Sequence, residues 1–166
     1  MLRRAKKLQP IFNKFCSQYN QDHFILSSDK WQQVKYLLWI TQPFFRFTTL
    51  LSKTKYVSIH LVFSIYNKLF NHLETSITIL ESKKVAWKQL ILASLKASKA
   101  KLSHYYSITD KIDNNLYIIG IILSLQQKLQ FFKGIDWHDP DTNWCATYCK
   151  SIEDYFDVYK QKLLVL

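Results

Sequence analysis

Glycine and proline are scarce, with two glycines and three prolines among 166 residues. Tight turns depend on these residues, so their scarcity argues against a many-stranded sandwich or barrel and favours long helices. Gly120 and Gly134 are too few and too isolated for a glycine-rich phosphate loop or a nucleophile elbow. The sequence therefore excludes the enzyme classes built on those loops.

Cysteine is also rare, and its number is odd: Cys16, Cys145 and Cys149. An odd number argues against a disulfide framework and favours a reducing compartment. The longest apolar run, residues 116–123, is far shorter than the roughly 20 residues of a membrane-spanning helix. The first residues also lack the hydrophobic stretch of a secretory signal. We therefore predict a soluble intracellular protein without a membrane partner.

The chain is strongly basic, with 23 Lys and Arg against 12 Asp and Glu and a net charge of +11. Apolar residues form 48% of the sequence, enough to bury a core. The charge is segregated: residues 82–109 contain six lysines and no acid, whereas residues 134–160 contain six acids and two lysines. Such a basic segment favours a polyanionic partner.

Apolar residues recur with the helical period along most of the chain. We predict helices over about residues 2–19, 28–51, 58–73, 84–105, 116–132 and 140–159. Ser28 is the predicted N-cap of the second helix, Pro43 is predicted to kink or restart it, and Asp139 with Pro140 is predicted to begin the last. Residues 116–125 also suit a buried strand, although the helix formers after them favour a helix. The predicted fold is a single all-α domain of about six helices.

Two of the predicted helices are basic. In the first, Leu8, Ile11, Phe12 and Phe15 share one side. In the fourth, Lys88, Lys96 and Lys99 share one arc, whereas Ala86, Ala93, Ala97 and Ala100 lie opposite, where small residues permit close helix approach.

The lysines of the fourth helix are followed closely by Tyr105 and Tyr106, a pattern typical of phosphate contacts with base stacking. A solvated helix face has the same pattern. We predict DNA contacts at Lys84, Lys88, Lys96, Lys99, Lys101, Arg3 and Arg4.

Two groups of residues resemble metal sites. His138, Cys145 and Cys149 have helical spacing, but a structural zinc site uses four ligands and no CxxC pair is present. Asp136, Asp139 and Asp141 lie at a predicted helix N-terminus, where acids favour the helix dipole. We expect neither group to bind a metal, no cofactor, and thiols that are buried or half-buried.

A collinear set of residues resembles the hAT superfamily of transposases, most closely its fungal branch. The set consists of Trp31, Pro43-Phe44, Thr48 to Ser52, Val62-Phe63, Tyr66 to Leu73, Ala100 to Tyr106, Ile121 to Leu123, Lys128 to Phe132, Trp137, Trp144, Tyr148 and Phe156 to Tyr159. The resemblance implies that residues 1–166 form the helical insertion of a ribonuclease H-like core, without the zinc finger. Both catalytic aspartates would precede the chain and the catalytic glutamate would follow it.

The resemblance leads to the hypothesis of a catalytically inactive, nuclear transposase remnant that binds DNA non-specifically through its lysine-rich helix. It implies that the chain is not an enzyme, since the acidic triad is missing. One alternative is a protein-interaction or self-association module that uses exposed aromatic side chains. Another is a decayed product without function.

Overall fold

The computed structural model describes residues 1–52, 58–109, 115–124, 128–134 and 140–163. All regular secondary structure within these residues is helical. The six α-helices are α1 (Leu2–Gln18), α2 (Ser28–Leu51), α3 (Val62–Ser82), α4 (Lys88–Thr109), α5 (Asn115–Leu123) and α6 (Trp144–Leu163). Short 3₁₀ helices cover Asp22–Phe24, Ile59–Leu61 and Lys128–Lys133. The predicted all-helical class is confirmed, and residues 116–123 are helical. None of the described helices is both long and apolar enough to span a bilayer.

Several helix ends differ from the prediction: α3 continues to Ser82 instead of ending near residue 73, and the helix predicted over residues 116–132 ends at Leu123. Before α2, the hydroxyl of Ser27 and not that of Ser28 accepts a hydrogen bond from the Lys30 amide, at 3.3 Å. The helix then continues without a break through Pro43, so the predicted restart is wrong. A proline in a helix removes a single backbone hydrogen bond, and packing of the flanking turns compensates for that loss.

The last helix begins later than predicted. Pro140 lies in a bend before α6, and Asn143 is the N-cap residue, because its Oδ1 accepts a hydrogen bond from the Ala146 amide at 3.1 Å. Asp139 lies outside the described residues. Either side chain is a good cap, and sequence alone does not show which one reaches the free amides.

The contacts divide the chain into two compact units. The first consists of Met1–Leu50 and His72–Lys96, and its buried side chains come from all four of its helices. The apolar ones are Cys16 of α1, Tyr36 and Ile40 of α2, Leu73 and Leu80 of α3, and Ile91 and Leu95 of α4. The Tyr36 hydroxyl donates a hydrogen bond to the Ser76 carbonyl oxygen at 2.8 Å, which satisfies its buried polar group.

The second unit consists of Leu51–Asn71 and Ala97–Leu166. Its core is formed by Phe63, Ile118, Ile121 and Phe132. The short helix α5 packs against Ile59–Leu61, Lys128–Lys133 and α6 and buries Ile118 and Ile121, whereas Leu116 and Leu123 at its ends are exposed.

Helix α1 has an unusual orientation within the first unit. Its apolar side is exposed: Leu8, Ile11, Phe12 and Phe15 each leave between 42% and 66% of their surface accessible. The inward side carries Gln9, Asn13 and Cys16 instead, and Asn13 Oδ1 is buried without a hydrogen-bond partner in the described structure. An exposed apolar stripe on a well-formed helix is a feature that the helical period alone does not reveal.

Candidate nucleic-acid interface

The structure places the predicted lysines of α4 differently from the sequence analysis. The buried and half-buried residues of α4, Ile108 near its end excepted, recur at positions 88, 91, 92, 95, 99, 102, 106 and 109, which form one helical stripe. Lys88 and Lys99 therefore lie on the packed side of the helix and are half-buried. The Lys88 ammonium donates a hydrogen bond to the Glu81 carbonyl oxygen at 2.6 Å. Two of the three lysines of the predicted arc therefore face the packed side, and only Lys96 faces solvent.

The other lysines of the basic segment are exposed but dispersed. Lys84 precedes α4 in the connector, and Lys96 lies 3.9 Å from Glu81 Oε1 in an exposed ion pair. The Lys101 ammonium lies 5.1 Å from the centroid of the Tyr105 ring. The predicted alanine contact is also wrong, because Ala86, Ala93, Ala97 and Ala100 are exposed.

Tyr106 belongs to the core of the second unit and is not a free stacking platform. Its ring centroid lies 5.1 Å from that of Tyr66 and 5.9 Å from that of Phe70. Burial raises the pKa of the Tyr66 phenol, and the nearby Tyr117 and Tyr105 raise it further. Of the two tyrosines predicted to stack on a base, only Tyr105 is accessible, with about half of its surface exposed.

The basic residues of α1 form a group of exposed cations close together in the sequence. Arg3, Arg4, Lys6, Lys7 and Lys14 are all exposed, and no acid occurs before Asp22. Because α1 contains no carboxylate, these five charges have no intrahelical partner that would neutralise them. Arg3 and Arg4 of this group are among the predicted DNA contacts, whereas the three lysines are not.

A cleft in the first unit combines aromatic and basic side chains. It has a volume of about 610 Å³ and is lined by α2, α3 and the connector before α4. The Tyr36 ring contacts two tryptophans: its centroid lies 5.5 Å from that of the Trp39 ring and 5.5 Å from that of the Trp87 ring. The Lys83 ammonium lies 4.7 Å from the Tyr36 centroid, within cation–π range. The exposed Lys35 also lines the cleft.

The aromatic rings of the cleft are held by hydrogen bonds and ring contacts. Trp87 Nε1 donates to Asp29 Oδ1 at 3.3 Å. The Trp39 ring meets His72 edge-on at 4.9 Å, and His72 Nε2 donates to the Ile40 carbonyl oxygen at 3.1 Å. Burial raises the pKa of the Tyr36 phenol above its ordinary value. The sequence shows that Lys35, Tyr36 and Trp39 are close together on one helix. Only the tertiary structure shows that Lys83 and Trp87 lie next to them.

The described residues contain no group of three or more His, Cys, Asp or Glu side chains placed to hold a metal ion. Asp136, His138 and Asp139 lie outside the described residues. Cys145 and Cys149 are half-buried one turn apart on α6. Desolvation raises the pKa of the Cys149 thiol, and Cys145 and Glu153 raise it further, which disfavours a reactive thiolate.

Fold and surface together define an all-helical basic chain with exposed cations. In comparison with known proteins it is similar to the protein named "Putative transcriptional regulator tpeD" of Talaromyces stipitatus, with 44% identity over 162 residues. The match covers 98% of this chain but only 16% of that relative, so the chain spans about a sixth of the relative's length. No protein-family model matches the chain. No solved structure matches it either.

This similarity corrects the resemblance stated above. The matched protein is named a transcriptional regulator and not a transposase, and no family model for a transposase matches, so the predicted hAT relationship is wrong. The predicted function, a transposase remnant that binds DNA through the lysine-rich helix, is wrong on the same finding. The assignment of residues 1–166 to a transposase insertion depended on that relationship and has no other support.

Proposed function

We propose that this chain is a DNA-contacting segment of a longer nuclear transcriptional regulator, and that the basic residues of α1 contact DNA phosphates. Five exposed cations on a helix without acids carry the proposal. The name of the Talaromyces relative supports a role in transcription. We further propose that the segment itself carries out no catalysis.

The geometry of α1 suits contact with a phosphate backbone. At about 100° per residue, Arg3, Lys7 and Lys14 lie on neighbouring parts of one helical side. They lie away from Gln9, Asn13 and Cys16, which face the rest of the first unit. A long cationic side chain in this position reaches a phosphate without moving a packed residue. Contacts of this kind give affinity without sequence preference.

The test compares two triple variants that remove equal charge. In Arg3→Gln/Arg4→Gln/Lys7→Gln the α1 charges are neutralised, and in Lys84→Gln/Lys96→Gln/Lys101→Gln the exposed lysines around α4 are neutralised. The affinity for a duplex is measured by gel shift over a range of salt concentrations. Each lost phosphate contact lowers the slope of log affinity against log salt by about 0.9, so the α1 variant should lose up to about three units of slope.

The control variant should keep most of the wild-type slope. Equal losses in both variants would show that net charge alone attracts the duplex and that α1 forms no particular interface. Wild-type affinity that does not change with salt would exclude phosphate contacts altogether.

A further inference from the structure

We infer that the cleft of the first unit binds a nucleoside phosphate, with the base stacked on Trp39 and the phosphate paired with Lys35 and Lys83. The cleft is separate from the α1 cations, so this inference does not depend on the DNA contacts proposed above. The ligand is either a free nucleotide or an unpaired nucleotide of a nucleic-acid strand.

The aromatic side chains determine the shape of the ligand. Trp39 leaves 38% of its surface exposed at the cleft, whereas Tyr36 is buried beneath it and Trp87 is half-buried. An exposed indole face next to other rings favours a flat aromatic ligand, since stacking buries apolar surface on both partners. The volume of about 610 Å³ lies within the range of small-molecule sites.

The cations determine the charge of the ligand. Lys83 is held over the Tyr36 ring, and Lys35 lies one residue before Tyr36 on the exposed side of α2. Two ammonium groups at one cleft repel a cationic ligand and favour a phosphate, which accepts several charge-assisted hydrogen bonds. Asp29 is not among the residues that line the cleft, and its carboxylate already accepts the indole N–H of Trp87. The phosphate is therefore expected at the lysine side and the base at the indole of Trp39.

The polar lining gives the base a hydrogen-bond partner. Gln32 lines the same cleft one turn before Tyr36 and is exposed. Its amide offers both donors and an acceptor, which suits a nucleobase edge better than a plain hydrocarbon ring. The combination of a stacking ring, two cations and one amide is the chemistry that distinguishes a nucleotide from a simple aromatic acid.

The whole 166-residue chain is used for the test. Equilibrium dialysis measures binding of adenosine monophosphate, and fluorescence anisotropy measures binding of a short labelled single strand and of its duplex. The variant Lys35→Gln/Lys83→Gln should weaken nucleotide binding about tenfold, as expected for loss of charge-assisted contacts. The matched control Lys96→Gln/Lys101→Gln removes equal charge outside the cleft and should leave binding unchanged.

Stacking is tested with two variants. Trp39→Ala should weaken nucleotide binding about tenfold, whereas Trp39→Phe, which keeps an aromatic ring, should retain most of the wild-type affinity. Tyr105→Ala is the control, because Tyr105 also lies beneath a lysine but outside the cleft. Circular dichroism melting establishes that each variant is folded. If Trp39→Ala is unfolded, the lysine pair still decides the question.

Saturable binding of adenosine monophosphate with these losses supports a free-nucleotide site. Preference for the single strand over the duplex, with the same losses, supports an unpaired nucleotide of a strand. The inference is overturned if neither adenosine monophosphate nor the single strand binds saturably. It is also overturned if the cleft variants and the control variants lose equal affinity. The α1 variant Arg3→Gln/Arg4→Gln/Lys7→Gln should not change nucleotide binding, so failure of one proposal is distinguishable from failure of the other.

Discussion

At the scale of single residues, Gly120 shows how a rare glycine permits a close contact. A Cβ added at Gly120 would lie 2.6 Å from Ile59 Cγ2 and 3.5 Å from the backbone nitrogen of His60. The Ile59 methyl group is attached directly to its β-carbon, so it has little freedom to move aside. Helix α5 approaches Ile59–Leu61 closely because residue 120 has no side chain.

We therefore expect Gly120→Ala to lower the free energy of unfolding by about 1–2 kcal/mol, since overpacking outweighs the better helix propensity of alanine. Urea denaturation measures this change. Gly134→Ala is the control, because its added Cβ would meet only the Phe131 carbonyl oxygen at an ordinary 3.4 Å. The penalty should largely disappear in an Ile59→Ala background, and its persistence there would contradict the proposed contact.

At the scale of an element, α1 has the periodicity of a core helix but packs through its polar side. The hydrophobic period specifies which side chains share a face, and it does not specify which face meets the rest of the chain. Cys16 has only 2% of its surface exposed, whereas Ile11 has 66% exposed. Helix α4 shows the same limit, since Lys88 and Lys99 of its lysine arc lie on the packed stripe whereas Lys96 is exposed.

This orientation predicts that Ile11→Ser changes the free energy of unfolding by no more than about 0.5 kcal/mol, as for other surface substitutions. Leu73→Ala, at a side chain with no exposed surface, should cost about 2–5 kcal/mol. Thermal or urea denaturation compares the two. A cost above about 2 kcal/mol for Ile11→Ser would show that the apolar side of α1 is buried in solution.

At the scale of the whole molecule, the excess of positive charge opposes compaction. With 23 basic and 12 acidic side chains, repulsive pairs outnumber attractive ones. The ion pair of Lys96 with Glu81 is exposed at 3.9 Å, and such pairs contribute little to stability. Salt therefore screens more repulsion than attraction.

We expect the melting temperature to rise by a few degrees when sodium chloride is increased from about 0.05 M to about 0.5 M, since the screening length falls to about 4 Å. Calorimetry measures the shift. The variant Lys84→Gln/Lys96→Gln/Lys101→Gln lowers the net charge from +11 to +8, the difference being three lysines, and should show a smaller rise. A melting temperature that falls with salt would mean that attractive charge pairs prevail.

Composition and period were sufficient to predict the helical class and the approximate positions of the helices. Few glycines and prolines, together with apolar residues at helical spacing, restrict the local conformations to helices, because these are properties of neighbouring residues. The exposed cations Arg3 and Arg4 could also be identified in this way. The relationship to transposases was wrong, because a set of short matches does not identify a protein family.

The packed face of each helix was decided only by the tertiary structure. Whether Lys88 faces solvent or Asn13 faces inward depends on which residues from distant segments lie opposite, and this information is absent from a local period. The aromatic cleft has the same origin, because Lys83 and Trp87 approach Tyr36 from far along the chain. Burial is a relation between segments, so a pattern within one segment predicts a helix but not its neighbours.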